Sequence, residues 1–244
     1  MNMFLGSLPH IEDCQKRVRV YSNGVCLIDT KKARLVWLHN KYPAYGFIRE
    51  DLPSWYLRVA SETENEIVFD VTLGHNPKLL RVITYYLKGP LQGIAIAKFD
   101  AFDAWFEEDE EIFVHPKDPY KRIDILQSSR HIRIEVNGIE VANTRAPRLL
   151  FETGLPVRTY IPKTDCRMDL WQPSDLTTGC PYKGNASYYN IVLSSGETFD
   201  NIVWWYPTTT LESAPIRGYV AFYDEKVDMW VDGEKQVRPN LVSL

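Results

Sequence analysis

The chain alternates apolar and polar residues over short runs, the period of strands that bury one face. Arg17-Val-Arg-Val-Tyr21 has this period, and Asn23-Gly24 follows it. That dipeptide suits the two left-handed positions of a tight hairpin turn. Val25–Thr30 reads as the return strand, and Arg34–Leu38 as another that ends before the Tyr42-Pro43 turn. Glu66–Leu73 and Leu80–Leu87 continue the series, whereas residues 1–16 read as a lead-in.

The same order recurs farther along. Ile132–Val136 is a strand, Asn137-Gly138 a turn and Ile139–Thr144 the return. From Asn23 to Asn137 the offset is 114, and at that spacing Arg19 meets Arg133, Thr30 meets Thr144, Arg34-Leu35 meets Arg148-Leu149 and Asp51 meets Asp165. Nearer the ends, Gly93, Asp103 and Trp105 meet Gly218, Asp228 and Trp230 at an offset of 125. A repeat of this length marks duplicated domains rather than a solenoid. The expected plan is a first repeat at 17–115, a linker at 116–130, a second repeat at 131–236 and a tail at 237–244. The change of offset places eleven extra residues in the second copy, expected around 177–189. Tyr188–Leu193 and Asn201–Tyr206 read as strands, Thr208–Ala214 as a short helix, and Tyr219–Tyr223 with Val227–Val231 as a last hairpin. The fold class expected is mainly β: two tandem, related small β-barrel or bent-sheet domains packed together.

Composition narrows the function. Aromatics make up 13% of the chain, with 7 Trp and 14 Tyr, which favours strands and aromatic-lined pockets. A net charge of −4 with no basic face argues against a nucleic-acid partner. No apolar run approaches the length of a membrane span, and Met1–Pro9 lacks the basic and apolar regions of a signal peptide. Cys14, Cys26, Cys166 and Cys180 have no Cys-x-x-Cys spacing, so no metal site is expected. Together these features give the expectation of a cytoplasmic protein with a small-molecule ligand and no cofactor. Its two copies would pack on one another within a monomer.

The densest chemistry lies in Thr177–Tyr189, which holds Thr178, Cys180, Tyr182, Lys183 and Tyr188. A lysine among aromatics can serve as a base, a Schiff-base former or a point charge for an anion, or it can pair with Asp165 or Asp175. Cys180 precedes Pro181, and His131, the one histidine in the second copy, lies some fifty residues back, so a Cys-His pair is not indicated. Trp204 and Tyr206 share one strand face and Trp205 the other. Glu152 and Arg158 flank the Gly154-Leu-Pro156 turn, and Leu38 stands at the place of Glu152 in the first copy.

These residues also carry a resemblance. Asn143-Thr-Arg145, Tyr160-Ile-Pro162, Thr178-Gly-Cys-Pro-Tyr-Lys-Gly184, Trp205-Tyr-Pro207, Gly218–Tyr223 and Val231-Asp-Gly233 make the second copy resemble the domain of unknown function 427 family. That family carries a nucleotidyltransferase-like label. The resemblance implies a compact β domain but no established reaction. Gly179 stands where the family is expected to have His. The label finds no support in the residues: the chain has neither a Gly-Ser followed by an Asp-x-Asp pair nor a Gly-x-x-x-x-Gly-Lys phosphate loop. The expected function is a cofactor-free isomerase, cyclase or lyase acting on an organic metabolite. Its catalytic residues would be Lys183, Tyr182, Glu152 and Arg158, and its ligand-binding residues Thr178, Cys180, Tyr188, Trp205 and Tyr206. The alternative is a non-catalytic module that binds a ligand or peptide.

Overall fold

The computed structural model describes residues 7–74 and 79–239. Residues 1–6 of the expected lead-in and 240–244 of the expected tail lie outside the described residues. The chain divides into two compact units, Met1–Asp118 and Pro119–Leu244. It is mainly β, with no α-helix among the described residues, and no helix there is long and apolar enough to cross a membrane.

The first unit holds β1 (His10–Asp13), β2 (Val18–Ser22), β3 (Val25–Thr30), β4 (Arg34–Trp37), β5 (Ala44–Phe47), β6 (Leu57–Glu62), β7 (Glu66–Val71), β8 (Leu79–Tyr86), β9 (Ala95–Ala97), β10 (Ala104–Glu107) and β11 (Glu110–Ile112). The second holds β12 (Ile123–Gln127), β13 (Ile132–Val136), β14 (Ile139–Thr144), β15 (Arg148–Glu152), β16 (Arg158–Pro162), β17 (Trp171–Cys180), β18 (Gly184–Val192), β19 (Thr198–Trp205), β20 (Tyr219–Phe222), β21 (Asp228–Val231) and β22 (Glu234–Lys235). In the first unit a seven-stranded sheet runs β1-β4-β5-β9-β8-β7-β6, and a four-stranded sheet runs β11-β10-β2-β3. The second unit repeats that order, strand for strand, as β12-β15-β16-β20-β19-β18-β17 and β14-β13-β21-β22. Among the described residues all pairings are antiparallel and no sheet closes on itself, so the domains are paired open sheets rather than barrels.

Local chemistry explains the shared frame. Asn23-Gly24 and Asn137-Gly138 both take positive φ, near 49° and 75°, as a tight hairpin turn requires. Thr30 Oγ1 donates to Asp51 (2.7 Å) and Thr144 Oγ1 to Asp165 (2.5 Å), two pairs that the 114-residue offset makes equivalent. In each unit the inner face of the large sheet shares a core with the small sheet. In the second unit Ile132, Ile134 and Val141 meet Ile161, Val203, Val220 and Phe222.

Three expectations change. Parts of the lead-in and linker are edge strands: β1 pairs with β4 and β12 with β15. Both strands are short and half solvated, so their patterns are weak. The last hairpin does not form, because β20 joins the large sheet and β21 the small one. Thr208–Ala214 is irregular, with only a short 3-10 turn at Ala214–Ile216.

Register locates the eleven extra residues. Val59 pairs with Phe69 and Pro173 with Tyr189, so the β17–β18 hairpin is six residues longer than β6–β7. The other five lengthen the β19–β20 loop, which spans 206–218 where the first unit has 87–94. The two insertions touch each other. Gly184 forms a bridge with Thr209, and the Thr210 amide donates to the Lys183 carbonyl at 3.3 Å.

Candidate functional site

The outer face of the second large sheet carries a cluster that the first unit lacks. One rung of the ladder reads Tyr160, Ala221, Trp204, Tyr188 across β16, β20, β19 and β18. The equivalent rung in the first unit reads Gly46, Ile96, Thr84, Val68. Tyr160, Tyr188, Trp204 and Tyr206 are buried together with Leu150 and Ile216, and Cys180 and Tyr223 pack against them.

The polar ends of these side chains form a network. Thr178 Oγ1 and Tyr188 OH are 2.7 Å apart, and Tyr223 packs against the same cluster. Trp204 Nε1 donates to Tyr160 OH at 3.3 Å. Burial, reinforced by Tyr160, Cys180, Tyr188 and Glu152, pushes the Tyr206 phenol up from its ordinary value, so it stays a neutral donor. Burial raises Tyr160 and Tyr223 as well.

At the border of this cluster sits an ion pair. Glu152 ends β15 with its side chain 6% exposed. Lys183, in the turn between β17 and β18, reaches back across 31 residues to donate to Glu152 Oε2. Lys121 lies 3.6 Å from the other carboxylate oxygen. Lys183 therefore pairs with neither Asp165 nor Asp175, and as an ion-paired ammonium it offers a charge and a proton rather than a free amine. Tyr182 is buried in the same turn, with its carbonyl accepting from Thr210 and from Ser213 Oγ (2.9 Å). Gly184 is required here. Its φ is +104°, and a Cβ would lie 2.6 Å from the Thr208 carbonyl oxygen. Nearby, Thr209 Oγ1 is enclosed with no hydrogen-bond partner among the described residues.

Arg158 and Glu152 do not pair with each other. Arg158 Nη1 donates to Asp224 (3.3 Å), and both Nη groups donate to Glu225 (3.0 and 2.7 Å). Its guanidinium also lies 5.6 Å from the centre of the Trp204 ring. Burial pushes the Asp224 carboxyl up to about 6, against the pull of Arg158. Trp205 stands apart from the cluster, on the inner face, where it stacks with Tyr189 and holds the Lys163 ammonium 3.0 Å from its ring centre.

Residues 124–233 match the model of a family described as a domain of unknown function, DUF427. The second unit is a DUF427 domain. The cluster from Leu150 to Tyr223 lies inside the matched residues, and Lys121 lies just before them. No curated protein matches the chain. Within the DUF427 domain the motif Thr-Gly-Cys-Pro-Tyr-Lys-Gly is the tip of the long hairpin, so Thr178, Cys180, Tyr182 and Lys183 come together locally. Reasoning from sequence named Tyr160 and Tyr223 only within the family motifs, not as site residues, and did not single out Lys121 or the carboxylates Asp224 and Glu225. The alternation that groups Trp204 with Tyr206 was the one local signal for the phenol face, and the strand neighbours of that face are remote in sequence.

Proposed function

We propose that the DUF427 domain is a small-molecule-transforming enzyme of the isomerase, cyclase or lyase type, moving protons with side chains of its outer-face cluster. The observation that carries this is the Glu152–Lys183 pair, a buried carboxylate and ammonium set beside neutral phenols. Such a pair can take a proton from a carbon next to a carbonyl onto Glu152. The electrons of that C–H bond move into an enolate, whose oxygen Lys183 and the phenols stabilise. Returning the proton to a different carbon isomerises the substrate, and loss of a leaving group instead completes a lyase step. Thr178, Cys180, Tyr188 and Tyr206 would shape the ligand face, and Tyr182 would fix the turn through its carbonyl.

The rival is a binding module without chemistry. It is favoured by the hydrogen bonds that the phenols already make within the cluster, Tyr188 with Thr178 and Tyr160 from Trp204, which leave them in a closed arrangement. The test is incubation of the full chain in D2O with a panel of ketones, keto acids and enol ethers, read by NMR. Enzyme-dependent deuteration or conversion that Glu152→Gln abolishes is the expected result. A compound that binds without deuteration or conversion would establish the module instead.

A further inference from the structure

The inner layer of the second unit has an opening that the outer-face cluster does not use. A cavity of about 350 Å3 lies among β13, β15, β16 and β21, walled by Ile132, Leu149, Phe151, Val227, Met229 and Val231. A largely apolar cavity of that size with a few polar groups is the usual form of a small-molecule site. The acidic group on its wall is Asp224, with a side chain only 14% exposed. Arg158 engages Asp224 at Oδ2 alone, giving its better bonds to Glu225. Oδ1 of Asp224 has no hydrogen-bond partner among the described residues. A carboxyl held in an apolar cavity with one oxygen open is an acceptor waiting for a donor. Arg238, also on the lining, is taken up by Asp228 (2.9 Å).

We propose that this cavity binds a small, neutral, largely apolar molecule through a hydroxyl that donates to Asp224. The site faces away from Glu152 and Lys183 and stands or falls independently of the proton-transfer chemistry proposed for them.

The test uses the full chain with two probes of one shape, 2-naphthol and naphthalene, titrated by fluorescence at pH 7.5. Wild type is expected to bind 2-naphthol about tenfold more tightly than naphthalene, the effect of one hydrogen bond to a charged acceptor. Asp224→Ala should bring the two affinities within about twofold, by loss of that bond. Val157→Trp, on the exposed lip of the cavity, should weaken both probes while leaving Asp224 in place. Lys183→Met should change neither affinity. Absence of saturable binding to wild type would overturn the proposal, as would equal affinities, or an undiminished hydroxyl preference in a folded Asp224→Ala. If Asp224→Ala does not fold by circular dichroism, Val157→Trp decides, and unchanged binding there overturns the proposal.

Discussion

The Glu152–Lys183 pair can be weighed by a double-mutant cycle. Exposed ion pairs contribute at most about 1 kcal/mol, whereas removing one partner of a buried pair costs about 3–5 kcal/mol because the other charge is stranded. Here the side chains are 6% and 12% exposed, which places the pair in the buried class. Lys183→Met leaves Glu152 only Lys121 among the described residues, at 3.6 Å, so the cost should sit near the lower limit, about 2–3 kcal/mol. Glu152→Leu, which installs the residue found at the equivalent position of the first unit, strands two ammonium groups. Their long stems can carry the charge toward water, so this change should cost about 1–3 kcal/mol. The double mutant strands only Lys121 and should be less destabilised than the two single changes added together, with a coupling of about 2 kcal/mol. The assay is urea unfolding of the full chain at pH 7, with amide exchange locating the change to 148–152 and 184–192. A coupling below about 0.5 kcal/mol would show the pair to be solvent-screened and refute the reasoning. It would also remove the basis for giving these two residues a special role.

Three further outcomes follow from the geometry. Gly184→Ala must place a Cβ against the Thr208 carbonyl at a φ few side chains adopt, so a loss of about 2–3 kcal/mol is expected in urea unfolding, with the same m-value. Thr209→Val replaces an enclosed hydroxyl that has no partner among the described residues by a methyl group of similar size, and should be neutral or stabilising by up to about 1 kcal/mol; a clear loss in melting temperature would reveal a partner for that hydroxyl. Asp224 is raised by burial from 3.8 to about 6, so the folded state binds its proton more tightly than the unfolded state does. Its contribution is full below about pH 4 and is lost as the pH climbs to about 6. Glu225, buried yet drawn below its ordinary value by Arg158, has the opposite sign and acts only at lower pH. Relative to Asp224→Asn, wild type should therefore gain about 1.3 kcal/mol between pH 7 and pH 5, read from urea midpoints at the two pH values.

What the sequence determined by itself was local or periodic. Alternation marked most strands, and two Asn-Gly turns fixed two hairpins, because that backbone geometry is a property of the dipeptide. The 114-residue offset matched Thr30 with Thr144 and Asp51 with Asp165, and in each unit the threonine makes the same hydrogen bond to the aspartate. Alternation also separated Trp205 from Trp204 and Tyr206. The Cys-Pro-Tyr-Lys-Gly segment stood out as dense in chemistry because its residues are neighbours in the chain. Only the tertiary structure decided what those residues meet. Strand pairing joins segments far apart in sequence, and nothing local to Lys183 says that its partner is Glu152 rather than Asp165 or Asp175. The same holds for Arg158, which finds its carboxylates 66 and 67 residues away, and for Tyr160, whose phenol joins the cluster only because β16 lies beside β20. Edge strands such as β1 and β12 escaped notice for a related reason. Half solvated, they need little apolar pattern, and it is the neighbouring strand that makes them strands.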